Sequence, residues 1–167
     1  TERYDSSPGN PNMSYSFPVP RSGNYEVRIY MKNSFSGTSE PGQRIFDVTL
    51  ENNVYPELQH IDLSDTYGHQ IGTVVTYIVP VNDGNVDISF MHGAIENPLV
   101  NGLEILEVAD VEIPIYPFDI PNQLSNAGQP LDGSLVVRAL GGDGNLSYTA
   151  SGLPNGVFID LSNGQIG

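Results

Sequence analysis

Cysteine and tryptophan are both absent from this chain of 167 residues. Without cysteine there can be no disulfide scaffold, no thiol nucleophile and no zinc site built from thiolates. Apolar runs are short as well. No stretch of about 18 apolar residues occurs, so the sequence predicts no membrane-spanning helix. Nor does any long stretch repeat its apolar residues with the helical period of 3.6, which argues against a helical fold.

Basic residues are scarce, and most of them lie near the start of the chain. Residues 1–44 contain five of the six, whereas residues 45–167 contain only Arg138 against sixteen acids, and the formal net charge is −14. Binding to nucleic acid or to an anionic membrane depends on Lys and Arg displacing counterions. We therefore expect neither as a partner. An acidic, cysteine-free surface is compatible with an exported bacterial protein.

Turn formers are abundant, with 18 glycines and 13 prolines. Between them, apolar and polar residues alternate with the period of two that is typical of half-buried strands. The predicted strands cover residues 13–19, 25–32, 46–50, 54–55, 71–81, 86–90 and 100–108. Residues 51–53 and 82–85 have the composition of hairpin turns. About seven short antiparallel strands predict a β-sandwich. Its expected core includes Val86, Ile88, Phe90, Leu103 and Ile105.

The composition changes near Ala109, where acids and prolines predict a semi-rigid linker over residues 109–117. A second series of strands follows at residues 134–140 and 146–151. Its expected core residues are Val137, Leu146, Tyr148 and Leu153. The sequence therefore predicts a first domain over residues 1–108, the linker, and a second domain over residues 118–167.

Three separated motifs in the first domain point to one family. They are Thr1-Glu2-Arg3-Tyr4, the run Pro-Gly-Gln-Arg-Ile-Phe-Asp-Val-Thr-Leu at residues 41–50, and Glu-Asn-Pro-Leu-Val-Asn-Gly-Leu-Glu-Ile-Leu at residues 96–106. In this order they resemble the malectin-type carbohydrate-binding domain. The resemblance implies a non-catalytic module of a secreted or cell-surface multidomain bacterial protein. That family begins with an Asn-Ala-Gly-Gly strand upstream of Thr1, so we expect an N-terminally incomplete domain with an unpaired sheet edge.

Two turns in the second domain suggest another family. Gly152-Leu153-Pro154-Asn155-Gly156 and Ser162-Asn163-Gly164-Gln165-Ile166 resemble the turns of an immunoglobulin-like, cadherin-like repeat that occurs in tandem in bacterial surface proteins. The repeat continues for two more strands, so we expect this domain to be C-terminally incomplete, with Val157 and Ile159 poorly covered. The expected fold class is all-β, a malectin-like β-sandwich followed by a partial immunoglobulin-like β-sandwich.

The resemblance to malectin also implies a sugar site. In animal malectin the ligand is a diglucose unit, held by aromatic side chains and one carboxylate. The matching positions are Tyr4, Ser34, Phe35 and Glu96, with Ser34 standing where the family has a tyrosine. A ring can stack on the C–H face of a pyranose while a carboxylate accepts hydrogen bonds from its hydroxyls. Phe35 could alternatively anchor its loop, and Glu96 could cap a turn. His92 adjoins the Glu96 loop and is a further candidate for the pocket.

No catalytic or nucleotide-binding motif accompanies this site. The sequence has no Gly-x-Ser-x-Gly, no phosphate-binding glycine loop and no His-Glu-x-x-His, and no carboxylate pair is singled out for glycoside hydrolysis. We therefore expect no enzyme and no required cofactor. Calcium at the domain junction is the one ion the sequence suggests, because hard cations take oxygen ligands. Its candidate ligands are Glu107, Asp110, Glu112 and Asp119, although an acidic linker can simply be solvated.

Two function classes remain open at this stage. The first is a module that binds a glycan or polysaccharide, with glucose among its sugars. The second is a structural or adhesive spacer in a surface adhesin or extracellular fibre, which binds no glycan and contacts neighbouring domains of the same longer chain. Both place the protein outside the cell or on a bacterial cell surface.

Overall fold

The computed structural model describes residues 12–108, 112–120, 135–142 and 144–167, together with the backbone of Arg3 and Tyr4. The chain separates into two compact units, residues 1–113 and 114–167. The strands of the first unit are β1 (Arg3–Tyr4), β2 (Met13–Pro18), β3 (Gly23–Lys32), β4 (Ile45–Leu50), β5 (Asn53–Val54), β6 (Gly72–Val81), β7 (Asn85–Ile95), β8 (Leu99–Val100) and β9 (Gly102–Glu107). One helix, α1 (Leu63–Thr66), and two 3-10 turns, Ser36–Thr38 and Pro56–Leu58, lie between them.

Two larger antiparallel sheets and one short strand pair make up the described part of the first unit. The four-stranded sheet has the order β2-β7-β4-β5, the three-stranded sheet has the order β6-β3-β9, and β1 pairs with β8. The all-β prediction is confirmed, since the longest α-helix in the described residues has four residues. None of the helices in the described part of the chain is long and apolar enough to cross a membrane.

Alternation of side chains explains how the two sheets form one core. In β3 the residues Tyr25, Val27, Ile29 and Met31 are buried, and their even-numbered neighbours face outward. The predicted core residues Val86, Ile88 and Phe90 are fully buried in β7. Burial of such a side chain contributes about 1.5–3 kcal/mol, so the inward faces of β3, β4, β6 and β7 hold the two sheets together.

Tyrosine side chains join the two sheets. The rings of Tyr55, after β5, and Tyr77, in β6, lie 4.5 Å apart between centroids. The Tyr77 hydroxyl also accepts the backbone N–H of Glu57 at 3.1 Å. A buried tyrosine needs such a partner for its hydroxyl, and here the partner comes from the 3-10 turn that covers the core.

Two expectations for this unit differ from the structure. Residues 82–85 do reverse the chain, but β6 and β7 belong to different sheets and form no hairpin. A turn sequence determines where the chain reverses, and the choice of strand partner is made by contacts distant in sequence. Leu103 and Ile105 are only half-buried, because they line an open groove of about 360 Å³ together with Phe17 and Tyr25.

Several loops meet at one end of this sandwich. Lys32 at the end of β3 pairs with Gly72 at the start of β6, and Ile45 at the start of β4 pairs with Ile95 at the end of β7. Since residues 33–44 connect β3 to β4, these strand ends lie at the same end of the unit. We call it the loop end. It carries the loops of residues 33–44, 67–71 and 96–98.

A β-bulge shapes the strand that leads to the loop end. The pairing of β4 with β7 shifts register between Ile45 and Asp47. Gly93 lies opposite this shift, and a Cβ atom there would come within 2.1 Å of the Ile45 carbonyl oxygen. Glycine is therefore required for the close approach of the two backbones. The bulge bends the ladder here and so sets the course of the last residues of β7 towards the loop end.

The second unit contains the strands β10 (Ile115–Pro117) and β11 (Ala139–Gly141), which pair antiparallel. The sequence places residues 115–117 in the linker, but here they are part of this sheet. The two turn motifs do form turns, with Gly156 at φ +89° and Gly164 at φ +74°. No ladder forms at residues 146–151, where the Tyr148 N–H donates to the Leu161 carbonyl at 3.0 Å. The four residues expected in this core are only half-buried: Val137, Leu146, Tyr148 and Leu153. Val157 and Ile159, which were expected to be poorly covered, are half-buried as well.

The turn between β4 and β5 carries a partly buried acid. Glu51 and Asn52 have φ angles of +50° and +61°, the left-handed geometry of a two-residue hairpin loop. Burial raises the pKa of Glu51 above its ordinary value of 4.5, and the negative charges of Asp87 and Asp83 add to this increase. The backbone N–H of Asp87, which donates to Glu51 Oε1 at 2.8 Å, opposes the increase.

Glu51→Gln should reveal this raised pKa as a pH-dependent difference in stability. Because the folded pKa lies above the unfolded value, protonated Glu51 contributes stability fully below about pH 4.5 and loses that contribution as the pH rises through the folded pKa. Relative to the glutamine variant, the wild type should therefore become more stable as the pH falls from 7 towards 4.5. Urea unfolding at several pH values measures this difference, and a difference that does not change with pH would contradict it.

Candidate ligand-binding site

Phe35 is displayed on the surface at the loop end. Its side chain is 53% exposed, and the neighbouring residues 34, 36 and 37 are exposed as well. The ring lies against Gly37, where an added Cβ atom would come within 2.5 Å of it. Part of the ring is therefore in contact with its own loop. An exposed, oriented phenylalanine contributes little to the core, so its position is better suited to contact with a ligand.

A buried hydrogen-bond network holds this loop in place. The Asn33 amide donates to the Thr38 carbonyl at 2.6 Å and to the Ser64 hydroxyl at 3.1 Å. The Thr38 hydroxyl donates to Asn33 Oδ1 at 3.0 Å, and the Ser64 hydroxyl donates to the Thr38 carbonyl at 2.9 Å. All three residues are buried. Hydrogen bonds in a buried, fully satisfied network are strong and directional, so the loop of Phe35 is rigid.

The sequence contained a signal for this network that pattern reasoning missed. Asn33 continues the inward positions of β3, and Arg44 likewise precedes the inward positions of β4. A polar residue at an inward position must find partners, because an unpaired buried polar group costs about 1–3 kcal/mol. Asn33 and Arg44 were thus recognisable as organisers of the two ends of the loop at residues 33–44.

Glu96 lies at the tip of the neighbouring loop in an unusual conformation. Its φ angle is +63°, in the left-handed region that glycine occupies easily and a glutamate rarely. The side chain is exposed, and Oε1 accepts the N–H of Asn97 at 3.2 Å. Strained backbone of this kind persists where surrounding contacts determine it, and it is concentrated at binding sites.

Two side chains impose that conformation on the Glu96 loop. Arg44, which is buried, donates from Nη1 to the Asn97 carbonyl at 2.6 Å. His92 Nε2 lies 2.9 Å from Asn97 Oδ1, and its Nδ1 lies 2.7 Å from the Gly93 carbonyl oxygen. Since both ring nitrogens have partners within the protein, the arrangement gives His92 the role of positioning the loop. The sequence suggested His92 as part of the pocket, but its ring contacts the backbone and side chain of the Glu96 loop instead.

The backbone of Tyr4 also lies at the loop end. Arg3 pairs with Val100 and Tyr4 pairs with Leu99, the strand that directly follows the Glu96 loop. Asn101, next in the chain, accepts the N–H of Lys32 on Oδ1 at 2.6 Å. Tyr4, Ser34, Phe35 and Glu96 are therefore all carried by elements of the loop end. The side chain of Tyr4 is outside the described part of the structure.

The candidate calcium ligands are not brought together in what the structure describes. Glu107 forms an ion pair with Arg21, and Asp110 is outside the described residues. Glu112 and Asp119 are exposed. Among the described residues, no three His, Asp or Glu side chains are close enough to hold a metal ion. Calcium at the junction stays a prediction.

Comparison with known families identifies the first unit. The family model described as Malectin domain matches residues 1–103. The chain therefore belongs to the malectin domain family, a carbohydrate-binding type of module and a binding domain rather than a catalytic one. No curated protein matches the chain.

Solved structures share the fold at low sequence identity. The ANXUR2 extracellular domain from Arabidopsis thaliana is 20% identical with a TM-score of 0.53, and the match covers 64% of this chain and 31% of that one. A structure of the plant peptide RALF23 in complex with FER and LLG2 is 23% identical with a TM-score of 0.50, covering 65% and 28%. Bacteroides uniformis β-glucuronidase is 17% identical with a TM-score of 0.50, covering 58% and 11%. The match spans less than a third of each of these structures.

Thr38→Val should test the buried network. The substitution keeps the shape but removes the hydroxyl that bonds Asn33 Oδ1, so we expect the free energy of unfolding to fall by about 1–3 kcal/mol. Ser36→Ala, in the same loop but exposed, should change it by less than about 0.5 kcal/mol. Urea denaturation of the two variants measures both effects. Equal effects would contradict a stabilising role for the network.

Glu96→Gly should relieve the strained backbone. Removing Cβ at a left-handed position should raise the free energy of unfolding by up to roughly 1 kcal/mol, because the steric penalty exceeds the entropy cost of glycine. Asn52→Gly, at a left-handed position in the hairpin at the opposite end, provides the control and should give a smaller gain. Thermal denaturation measures both. A loss of stability in Glu96→Gly would show that its side chain stabilises the loop.

Proposed function

We propose that residues 1–108 form a glycan-binding module whose ligand lies on Phe35 and Glu96 at the loop end. The proposal places this module in a larger secreted or cell-surface bacterial protein. Membership of the malectin family supports the class of ligand. The observation that carries the proposal is the exposed ring of Phe35 on a loop that three buried polar residues hold rigid.

The chemistry of the two groups suits a sugar. An exposed aromatic ring offers a flat apolar surface for the C–H face of a pyranose, and the exposed carboxylate of Glu96 can accept hydrogen bonds from hydroxyls. A rigid loop has little conformational entropy left to lose on binding, which favours affinity. The serine at position 34 provides no second ring, so a single module should bind weakly, with a Kd around the millimolar range, or about −4 kcal/mol.

Two observations support the placement of this module in a larger bacterial protein. The fold recurs as a small part of a much longer Bacteroides uniformis chain, which is compatible with a bacterial multidomain protein. The two turns of the second unit support an immunoglobulin-like, cadherin-like repeat after the module. The second candidate function is a structural or adhesive spacer. The serine at position 34 favours it, because the family tyrosine is missing there.

Titration of the chain with glucose disaccharides tests the proposal. By two-dimensional NMR, Phe35→Ala should lose most of the affinity, because the stacking surface is removed and nothing replaces it. Glu96→Gln should lose less, since the amide oxygen still accepts a hydrogen bond. Ser34→Tyr should bind more tightly by adding a second ring.

Phe158→Ala is the matched control, since Phe158 is 65% exposed but lies in the second unit. It should bind as the wild type does. Equal chemical-shift changes in the wild type and in Phe35→Ala, or no changes with any disaccharide, would favour the spacer function instead.

A further inference from the structure

Two large side chains beside the Phe35 loop are exposed and have no role in the fold described above. Tyr67 is 40% exposed and Ile71 is 53% exposed. Both belong to the loop of residues 67–71, between α1 and β6. The Ile71 side chain lies over Gly68, 3.5 Å from where a Cβ atom would be. Together they give the loop an aromatic and an aliphatic surface open to solvent.

This loop is bound to the Phe35 loop by the same network. The N–H of Gln70 donates to the Asn33 carbonyl at 3.0 Å. Ser64 in α1 bonds both Asn33 and Thr38, and Tyr67 directly follows α1, where its N–H donates to the Leu63 carbonyl at 3.1 Å. Asn33 therefore connects the chain segment of Phe35 to that of Tyr67, and the two loops are rigid with respect to each other.

Strand order places the three loops in a row. In the three-stranded sheet, β6 lies on one side of β3 and β9 lies on the other. The loop of Tyr67 leads into β6, the loop of Phe35 follows β3, and the Glu96 loop leads through β8 into β9. Phe35 is therefore carried between Glu96 on one side and Tyr67 on the other. A ligand that contacted all three loops would be elongated.

We propose that Tyr67, with Ile71, extends the Phe35–Glu96 site into a surface for a neutral oligosaccharide chain longer than a disaccharide. This inference rests on the proposed glycan-binding function and adds the size of its ligand. The net charge of −14 disfavours polyanionic glycans such as sulfated or uronic acid polymers, because their charges would be repelled. Tyrosine suits the neutral case, since its ring stacks and its hydroxyl can bond a sugar hydroxyl.

Maltose and maltohexaose, with cellobiose and cellohexaose for the other linkage, serve as probes in NMR titration of the full chain. With the linkage that binds, the wild type should bind the hexasaccharide roughly three- to tenfold more tightly than the disaccharide, the gain expected for one added aromatic contact. Tyr67→Ala should abolish this gain while the disaccharide affinity stays unchanged. Tyr67→Phe keeps the ring and should keep most of the gain.

Tyr30→Ala is the matched control. Tyr30 is also 40% exposed, but it lies on the outer face of the three-stranded sheet, where its hydroxyl donates to Glu104 at 3.1 Å. It should retain the gain. If the wild type binds disaccharide without any gain for the hexasaccharide, or if Tyr67→Ala keeps the gain or weakens the disaccharide equally, the extension is wrong and the glycan-binding function stands. If neither length binds, both are wrong.

Discussion

Three buried polar side chains, Asn33, Thr38 and Ser64, hold together the loop end on which the proposed binding surface depends. They bond one another and the backbone in a closed set, away from water. In such surroundings each hydrogen bond is stronger than it would be in water, and a missing partner would be costly. The network therefore permits one arrangement of the loop after β3. That arrangement supports Phe35 on one side and the Tyr67 loop on the other.

A second set of contacts serves the neighbouring loop in a different way. Arg44 and His92 both bond Asn97, and they hold Glu96 in a backbone conformation that a glutamate would not adopt alone. The bulge at Gly93 allows β7 to approach β4 closely just before this loop. The first loop is thus stabilised by satisfied polar groups, and the second is held in strain by its surroundings. Both mechanisms fix the backbone from which an exposed side chain extends.

The strands were predictable because their signal is local. Alternation located β2, β3, β4, β6 and β9 within two residues, and the turn at residues 51–53 has the expected geometry. Alternation also located the start of β7, which continues five residues beyond its predicted end. The sheet to which each strand belongs was not predictable in the same way. The turn at residues 82–85 connects two sheets, because partner choice depends on contacts far apart in sequence. The four-residue helix α1 was missed since so short a helix has no periodicity to detect.

The candidate site was likewise predictable only where the signal lies in single residues. The resemblance to malectin suggested Phe35 and Glu96 as candidates, and both are exposed at the loop end. Pattern reasoning did not give Asn33 or Arg44 a role, although each occupies an inward position next to an alternating strand. Tyr67 carried no signal, because bonds between residues distant in sequence, from Gln70 to Asn33 and from Ser64 to Thr38, bring its loop beside that of Phe35. The sequence indicated the chemistry of single residues. Which of them lie close together could be learned only from the fold.

The buried network also separates the positions that maintain the loop from the positions that display side chains. Residues 33 and 38 are buried and bonded, whereas residues 34 to 37 between them are exposed. Substitutions at positions 34 to 36 should therefore leave the fold intact, although they change the shape of the exposed surface. Exchanges at these exposed positions alter the surface of the loop at small cost to stability. The serine at position 34, where the family has a tyrosine, is the kind of exchange that such a loop tolerates.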